Sequence, residues 1–304
     1  MDLILPRNLP RITTLLSELF KTMRPRQWSK NAVVFAALVF DEKLFRTDLL
    51  LKTAAAFAIF CLLSSTIYLI NDLVDIEKDR RHPIKRNRPL ASGRLPRRAA
   101  IVAAVLLVLF SLPAAFVLET SFGLIALGYL AVMFSYSFWL KNMVIVDVLV
   151  LAAGFVLRVA GGVAVVHVER FSPWLYICTT LLALFLGISK RRHELLLLEG
   201  NANNHRAILS EYSTKFLDEM TAVVTSTTVI AYSLYTFTAP NMPANHVMML
   251  TIPFVLYGIF RYLYLVHQKN LGGSPEELLL KDKPLLADVV LWGLAVIIFM
   301  YGCK

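Results

Sequence analysis

The chain has 304 residues, 57% hydrophobic and only 17% charged, with 31 Lys and Arg against 21 Asp and Glu and a net charge of +10. Average soluble domains carry roughly 25% charged residues, so this composition excludes a water-soluble enzyme, a disordered chain and a nucleic-acid binder with a solvated basic face. A mean hydropathy of +0.63 fits a polytopic membrane protein whose charge is confined to its loops.

Residues 1–27 form the first unit. Ile12, Leu15, Leu16, Leu19, Phe20 and Met23 recur at helical spacing, with Arg11, Lys21, Arg24 and Arg26 around them. That pattern predicts a basic amphipathic helix lying on a membrane surface. An apolar core followed by a small-residue cleavage site is missing, so no secretory leader is expected.

Residues 28–304 read as a single all-α transmembrane domain. A spanning helix needs about 20 mostly apolar residues. Nine segments are predicted: Trp28 to Phe40, Thr47 to Val74, Arg97 to Leu118, Ser121 to Phe138, Asn142 to Val166, Pro173 to Ile188, Phe216 to Thr238, His246 to Val266 and Leu285 to Tyr301. The first is short. With the N-terminus inside, 25 of the 31 basic residues fall on the inner side and 5 on the outer, while Arg158 sits within a span. Omitting the first span would put the N-terminal basic cluster outside, against the positive-inside rule. The inner loops after spans two, six and eight are long, which places the working surface on the cytoplasmic side. In the last of them, Ser274-Pro275-Glu276-Glu277 carries the N-cap, N1 and N3 signals of a helix start.

Chemistry concentrates where span two ends, in Asn71-Asp72-Leu73-Val74-Asp75-Ile76-Glu77-Lys78-Asp79. On a helix, Asp72, Asp75 and Asp79 share one face, with Asn71 beside Asp75. Carboxylates at a membrane helix end are costly and repel one another, and a hard cation explains the cluster. Mg²⁺ takes one or two carboxylates plus substrate phosphates. Arg80, Arg81, His82, Lys85, Arg86 and Arg88 follow, then Pro89-Leu90-Ala91-Ser92-Gly93-Arg94. A metal on one flank and guanidinium groups on the other suit a polyanionic substrate. Arg158 is a second candidate, because an intramembrane arginine is expensive. The histidines show no metal-ligand spacing, the cysteines Cys61, Cys178 and Cys303 read as buried small hydrophobes, and the glycines of span five as packing positions.

Asn71-Asp72-x-x-Asp75-x-x-x-Asp79 with Arg88-Pro89-Leu90-Ala91-Ser92-Gly93 resembles the first signature of the UbiA-type intramembrane prenyltransferase superfamily, and Tyr136-Ser137-x-x-Leu140-Lys141 extends the resemblance. It implies a nine-helix bundle that uses Mg²⁺, held by Asn71, Asp72, Asp75 and Asp79, to ionise a diphosphate. The aromatic prenyltransferases of that superfamily have a second aspartate-rich motif in the loop after span six. Here that place reads Ser189-Lys190-Arg191-Arg192-His193-Glu194-Leu195, cationic where the others are acidic. Together with Leu157-Arg158 before Gly162 and the stretch from Phe260-Arg261-Tyr262-Leu263 to Asp282, this resembles the decaprenyl-phosphate phosphoribosyltransferase branch. The branch implies transfer from 5-phosphoribosyl diphosphate to a polyprenyl phosphate, for lipid-linked pentose and cell-envelope synthesis. Arg88, Lys141, Arg158, Lys190 and Arg191 are then the expected phosphate ligands, with Lys30 and Tyr136 behind them. The catalytic carboxylates are Asp72, Asp75 and Asp79, and no general base is needed because the acceptor phosphate is already anionic. Two other readings stand beside this one: prenyl transfer to an aromatic acceptor on the same fold, and a cation-binding membrane carrier. No nucleic-acid partner is expected, and a homo-oligomer is compatible with the sequence.

Overall fold

The computed structural model describes residues 12–168, 173–198, 207–239 and 242–302. The described residues are helical with short 3-10 segments, and no strand occurs among them. Residues 1–11, and with them Arg7 and Arg11, lie outside the description, as do Arg170, Arg206, Cys303 and Lys304.

Helix α1 (Ile12–Met23) opens the chain. Its Leu15 and Leu19 pack against Leu69, Ile76, Leu90 and Leu95, while Leu16 and Phe20 stay exposed. Arg24 turns the chain in a left-handed conformation (φ 56°, ψ 62°), and Pro25 starts a 3-10 segment running to Phe35. The predicted first span is therefore not one α-helix: only α2 (Ala36–Phe40) completes it. A 3-10 helix rises about 2.0 Å per residue against 1.5 Å for an α-helix, so this winding covers more depth per residue than the sequence suggests.

Helix α3 (Thr47–Val74) has 28 residues, about 42 Å at 1.5 Å per residue, and outreaches a hydrocarbon layer of about 30 Å. It breaks at Asp75 (φ −96°, ψ 9°) and resumes as α4 (Ile76–Arg81). The aspartate motif is thus a bent helix end and not the continuous helix that its spacing predicts. A bond from Asp79 N to Asp75 O of 2.8 Å carries the register across the break.

Helices α5 (Arg97–Leu118) and α6 (Thr120–Phe138) turn sharply through Glu119, whose backbone is extended. Helix α7 (Val146–Val166) follows a 3-10 turn, Leu140–Asn142, where the sequence predicted a helix from Asn142. Then come α8 (Pro173–Leu198), α9 (Thr214–Thr238), α10 (Ile252–Gln268), α11 (Pro275–Lys281) and α12 (Lys283–Gly302). Helix α3 packs on α5, α6 and α7, α8 on α7 and α9, and α10 on α12. Phe60 of α3 meets Phe122 and Tyr129 of α6 edge-on at 5.4 and 5.5 Å, within one of the two main apolar cores. Gly162 of α7 lets the 3-10 segment approach, since a methyl group there would overlap the Val34 carbonyl oxygen. This is the packing role predicted for the glycines of span five.

Among the described residues seven helices are long and apolar enough to cross a membrane, namely α3, α5, α6, α7, α8, α12 and the stretch Val247–Gln268 that contains α10. The predicted spans at Trp28–Phe40 and Phe216–Thr238 are not among them. The first lacks length. In α9, Asp218, Glu219 and a run of threonines lower the hydropathy. Its buried threonines satisfy themselves: Thr221, Thr225 and Thr228 donate to carbonyls four residues back at 2.7–2.9 Å. Helix α8 runs ten residues past the predicted end at Ile188, so Lys190, Arg191 and Arg192 sit on a helix and not in a loop. Helix α11 starts at Pro275 as predicted, but the Ser274 side chain makes no cap bond; the amides of Glu277 and Leu278 bond to its carbonyl instead.

Candidate active site

The three aspartates at the α3–α4 bend are buried, and each is matched with a cation from another part of the chain. Asp72 Oδ1 accepts from Arg24 Nη2 at 2.5 Å and from Arg88 Nη1 at 3.1 Å. The same Arg88 nitrogen donates to Asp79 Oδ2 at 2.7 Å, so Asp72 and Asp79 remain on one side despite the break. Lys141, itself buried, donates to both oxygens of Asp75 at 2.8 Å and to Asn71 Oδ1 at 3.3 Å. Burying charges is costly unless they are paired and hydrogen-bonded, and every member here is.

Local folding explains how the cations arrive. Leu90 and Ala91 of Pro89-Leu90-Ala91-Ser92-Gly93 are buried, Leu90 beside Leu69 and Ile76, which anchors the loop. Gly93 takes a positive φ of 79°, and Leu95 N bonds back to Pro89 O at 2.9 Å. The closed loop presents Arg88 toward the carboxylates. Lys141 is positioned by the 3-10 turn between α6 and α7. Just beyond it, Val144, Ile145 and Val146 form a γ-turn, with Val146 N bonded to Val144 O at 2.8 Å and Ile145 at φ 69°. A β-branched residue at positive φ is strained. Tyr212 restrains the turn, its hydroxyl accepting from Ile145 N at 2.7 Å and donating to Asp147 Oδ1 at 2.8 Å. Burial, reinforced by the bond to Asp147, pushes the Tyr212 phenol up to about 12.

A second charged cluster lies toward the C-terminal end of α8. Arg191 is buried, with Nε on Asp147 Oδ2 at 2.5 Å, Nη2 on the Tyr136 hydroxyl at 3.1 Å and Nη1 on Glu194. Arg192 pairs with Asp218 of α9 at 2.6 Å. The cationic stretch that stands where relatives of the resembled superfamily have aspartates is therefore matched by Asp147, Glu194 and Asp218. Lys190 is half-buried one residue before Arg191. Lys30 is half-buried on the 3-10 segment, bonded to Gln27.

Arg158 stands apart from both. Asn31, its Nε partner at 2.6 Å, also bonds Ser64 of α3, about two turns before Asp72. Its other donors reach Gly154 O and the Tyr129 hydroxyl, both at 2.8 Å, and its guanidinium lies 4.7 Å from the Tyr129 ring centroid. No carboxylate pairs with it among the described residues.

The aspartate end suits Mg²⁺. Arg88 Nη1 touches two carboxylates at once, so a small cation seated there would reach both, and the oxygen-only donors are those Mg²⁺ prefers. Among the described residues no three His, Cys, Asp or Glu side chains already converge as a closed metal site.

A family model described as the UbiA prenyltransferase family matches residues 32–280. The chain belongs to this family. A decaprenyl-phosphate phosphoribosyltransferase of Mycolicibacterium smegmatis is 34% identical over 298 residues, covering 91% of each chain. One from Mycobacterium tuberculosis is 33% identical over 283 residues, covering 91% of this chain and 92% of its own. Among solved structures, a UbiA homologue from Archaeoglobus fulgidus bound to GPP and Mg²⁺ superposes with a TM-score of 0.71 at 19% identity, covering 92% of this chain and 99% of that one. The fold is that of the UbiA family, and the chain is a multi-pass membrane protein.

Several site residues lay outside the sequence reading. Arg24 counted only as a charge that sets orientation, and nothing in its spacing links it to Asp72. Asp147 had a usable signal: it is a carboxylate in an apolar stretch, the same anomaly that singled out Arg158. Tyr212, Asn31 and Tyr129 gave none.

Proposed function

We propose that this protein transfers 5-phosphoribose from phosphoribosyl diphosphate to a polyprenyl phosphate and releases diphosphate, supplying lipid-linked pentose for the cell envelope. The observation that carries this reading is the match, over nine-tenths of both chains, to relatives named decaprenyl-phosphate phosphoribosyltransferase. The aspartate end agrees with it, because a cluster of acids and cations suits two phosphorylated substrates.

In this reading Asn71, Asp72, Asp75 and Asp79 would hold Mg²⁺, which when bound supplies Lewis-acid neutralisation of the departing diphosphate. Arg88 and Lys141 then turn from carboxylate to phosphate oxygens, as arginine forks and lysine point charges do. Lys190, Lys30 and Tyr136 serve the remaining phosphates, while Arg191, buried against Asp147, holds the helices that carry them. The C1–O bond of the ribose breaks with its electron pair going to diphosphate, and an anionic oxygen of the lipid phosphate forms the new bond to C1. No proton has to be removed, so no general base is assigned. Positioning and charge stabilisation carry the rate. Arg158, deep in the bundle and with no acidic partner among the described residues, offers a cation to a phosphate that enters from the lipid side.

The same reading has nine spans, counting α9 and the 3-10 segment with α2, with the N-terminus and the site at the cytoplasmic face of a bacterial inner membrane. Purified protein incubated with labelled phosphoribosyl diphosphate, polyprenyl phosphate and Mg²⁺ should yield a labelled lipid phosphoribose. Turnover of a prenyl diphosphate onto an aromatic acceptor, with no labelled lipid, would refute the assignment.

A further inference from the structure

The N-terminal helix reaches into the aspartate cluster. Arg24 ends α1, adopts the left-handed conformation that a non-glycine residue rarely takes, and precedes a proline, which restricts it further. This conformation sends its guanidinium over the ring of Tyr68 at 4.9 Å and onto Asp72 Oδ1. The same oxygen takes Arg88, so Asp72 Oδ1 carries two cations at once. The carriers of those two cations are tied together. Buried Glu18 of α1 accepts from Arg94 Nε at 3.0 Å, and Arg94 Nη2 holds Asn87 O at 2.6 Å in the loop that presents Arg88. Lys21 and Arg94 together hold the Glu18 carboxyl below the usual carboxylate range.

We propose that Arg24 belongs to the active site, where it competes with the divalent cation for Asp72 in the metal-free protein and moves onto the diphosphate once the metal–diphosphate complex arrives. The proposal rests on the reading of the aspartates as a metal–diphosphate site. A carboxylate oxygen saturated by two guanidinium groups has no lone pair to spare for Mg²⁺, which demands oxygens at about 2.0–2.1 Å. A metal that takes Asp72 through this oxygen must therefore displace Arg24, and one that takes Oδ2 still competes with two guanidinium charges on the same carboxylate. Arg24 is displaced beside a new polyanion, and the guanidinium fork matches phosphate oxygens. Glu18 keeps it within reach, because α1 remains pinned to the loop of Arg88 through Arg94.

This mechanism has an opposed signature that a purely structural arginine lacks. Arg24→Gln should bind Mn²⁺ alone more tightly, by about five-fold or more, and bind inorganic diphosphate in the presence of Mn²⁺ more weakly, by about ten-fold. Electron paramagnetic resonance of Mn²⁺ and calorimetry with inorganic diphosphate measure the two separately, without depending on which donor is transferred. Arg24→Lys should lie between the variant and the wild type on both scales. Glu18→Gln, which alters no group in contact with the metal or the diphosphate, should show the Mn²⁺ gain in weaker form, and it serves as the test if Arg24→Gln fails to fold. Equal affinities in variant and wild type, or a loss of Mn²⁺ binding, would overturn the proposal while the metal site stands. A wild-type protein that binds neither probe overturns the metal–diphosphate reading and this proposal with it.

Discussion

The two charged clusters have the same ingredients and opposite construction. At the α3–α4 bend the acids sit on the two helix ends and the residue between them, and their cations come from a helix–proline junction, a loop and a 3-10 turn. Arg24 and Arg88 keep 26% of their side chains exposed, whereas Lys141 and its partner Asp75 are buried. On α8 the polarity is reversed: the cation Arg191 is the central group, 3% exposed, and its partner Asp147 is fully buried. Cations on exposed connectors can exchange one anion for another, whereas a buried pair inside packed helices holds those helices in place. The first arrangement suits substrate turnover, and the second suits the frame that aligns α6, α7 and α8.

The largest effect should come from the first cluster. Asp72→Ala should lower transfer by about 10³-fold, the scale of losing a central electrostatic contact in a water-excluded site, with insertion and thermal unfolding close to wild type. Activity within ten-fold of wild type would remove the distinction between the clusters. Asp147→Asn should behave in the other way. Taking one partner from a buried pair typically costs about 3–5 kcal/mol, read as a large drop in unfolding temperature. Replacing both partners, Asp147→Leu with Arg191→Met, should recover most of that stability, because apolar pairs of similar volume often substitute well. The double variant also decides the role of Arg191. Recovered stability with activity restored makes it a frame residue, and recovered stability without activity makes it the phosphate ligand that the sequence suggested.

The intervening connection gives smaller effects. Gly162→Ala should destabilise by about 1–3 kcal/mol, the usual cost of overpacking, since Val34 O occupies the place of the methyl group. Ile145→Gly should be neutral or stabilising by about 1 kcal/mol, because glycine relieves the positive φ at some entropic cost. Marked destabilisation would show that Tyr212 holds this turn less tightly than its two hydrogen bonds suggest.

These contrasts mark what a sequence can carry. Apolar runs and the Asn71–Asp79 motif were legible because hydrophobic periodicity and i, i+3 and i, i+4 spacing are local. The ends of α3 and α5 coincide with the predicted segments, and Arg88, read from its motif, lies against Asp72 and Asp79. The extension of α8 was missed because Ser189-Lys190-Arg191-Arg192 looks like a cytoplasmic loop. Lys, Arg, Glu and Leu are good helix formers, and Asp147 and Asp218 supply the partners that let the helix continue. Arg24 lies 48 positions from Asp72, and such a pairing through space leaves no spacing to read. Net charge shows the same limit: a surplus of basic residues in the sequence says little about which cations are already matched in the fold.

A third pair, Arg261 with Asp282, completes the series at its weak end. Arg261 donates to both carboxylate oxygens at 3.1 and 2.8 Å, and Leu285 N donates to Oδ1 at 2.9 Å, pinning the start of α12 to α10. The Arg261 hydrogen bonds hold the Asp282 carboxyl below the ordinary carboxylate range. A carboxyl depressed in the folded state stabilises fully above its unfolded pKa, near 4, and loses that contribution as the pH falls through its folded value. Because the pair is partly solvated, its worth is that of a surface ion pair, and the unfolding temperature of Asp282→Asn should fall by only about 1–2 °C at pH 7. Wild type and variant should then converge below pH 4. A gap that stays constant down to pH 3 would mean that the carboxyl acts through its shape and its bond to Leu285 N, and that charge at this pair is incidental.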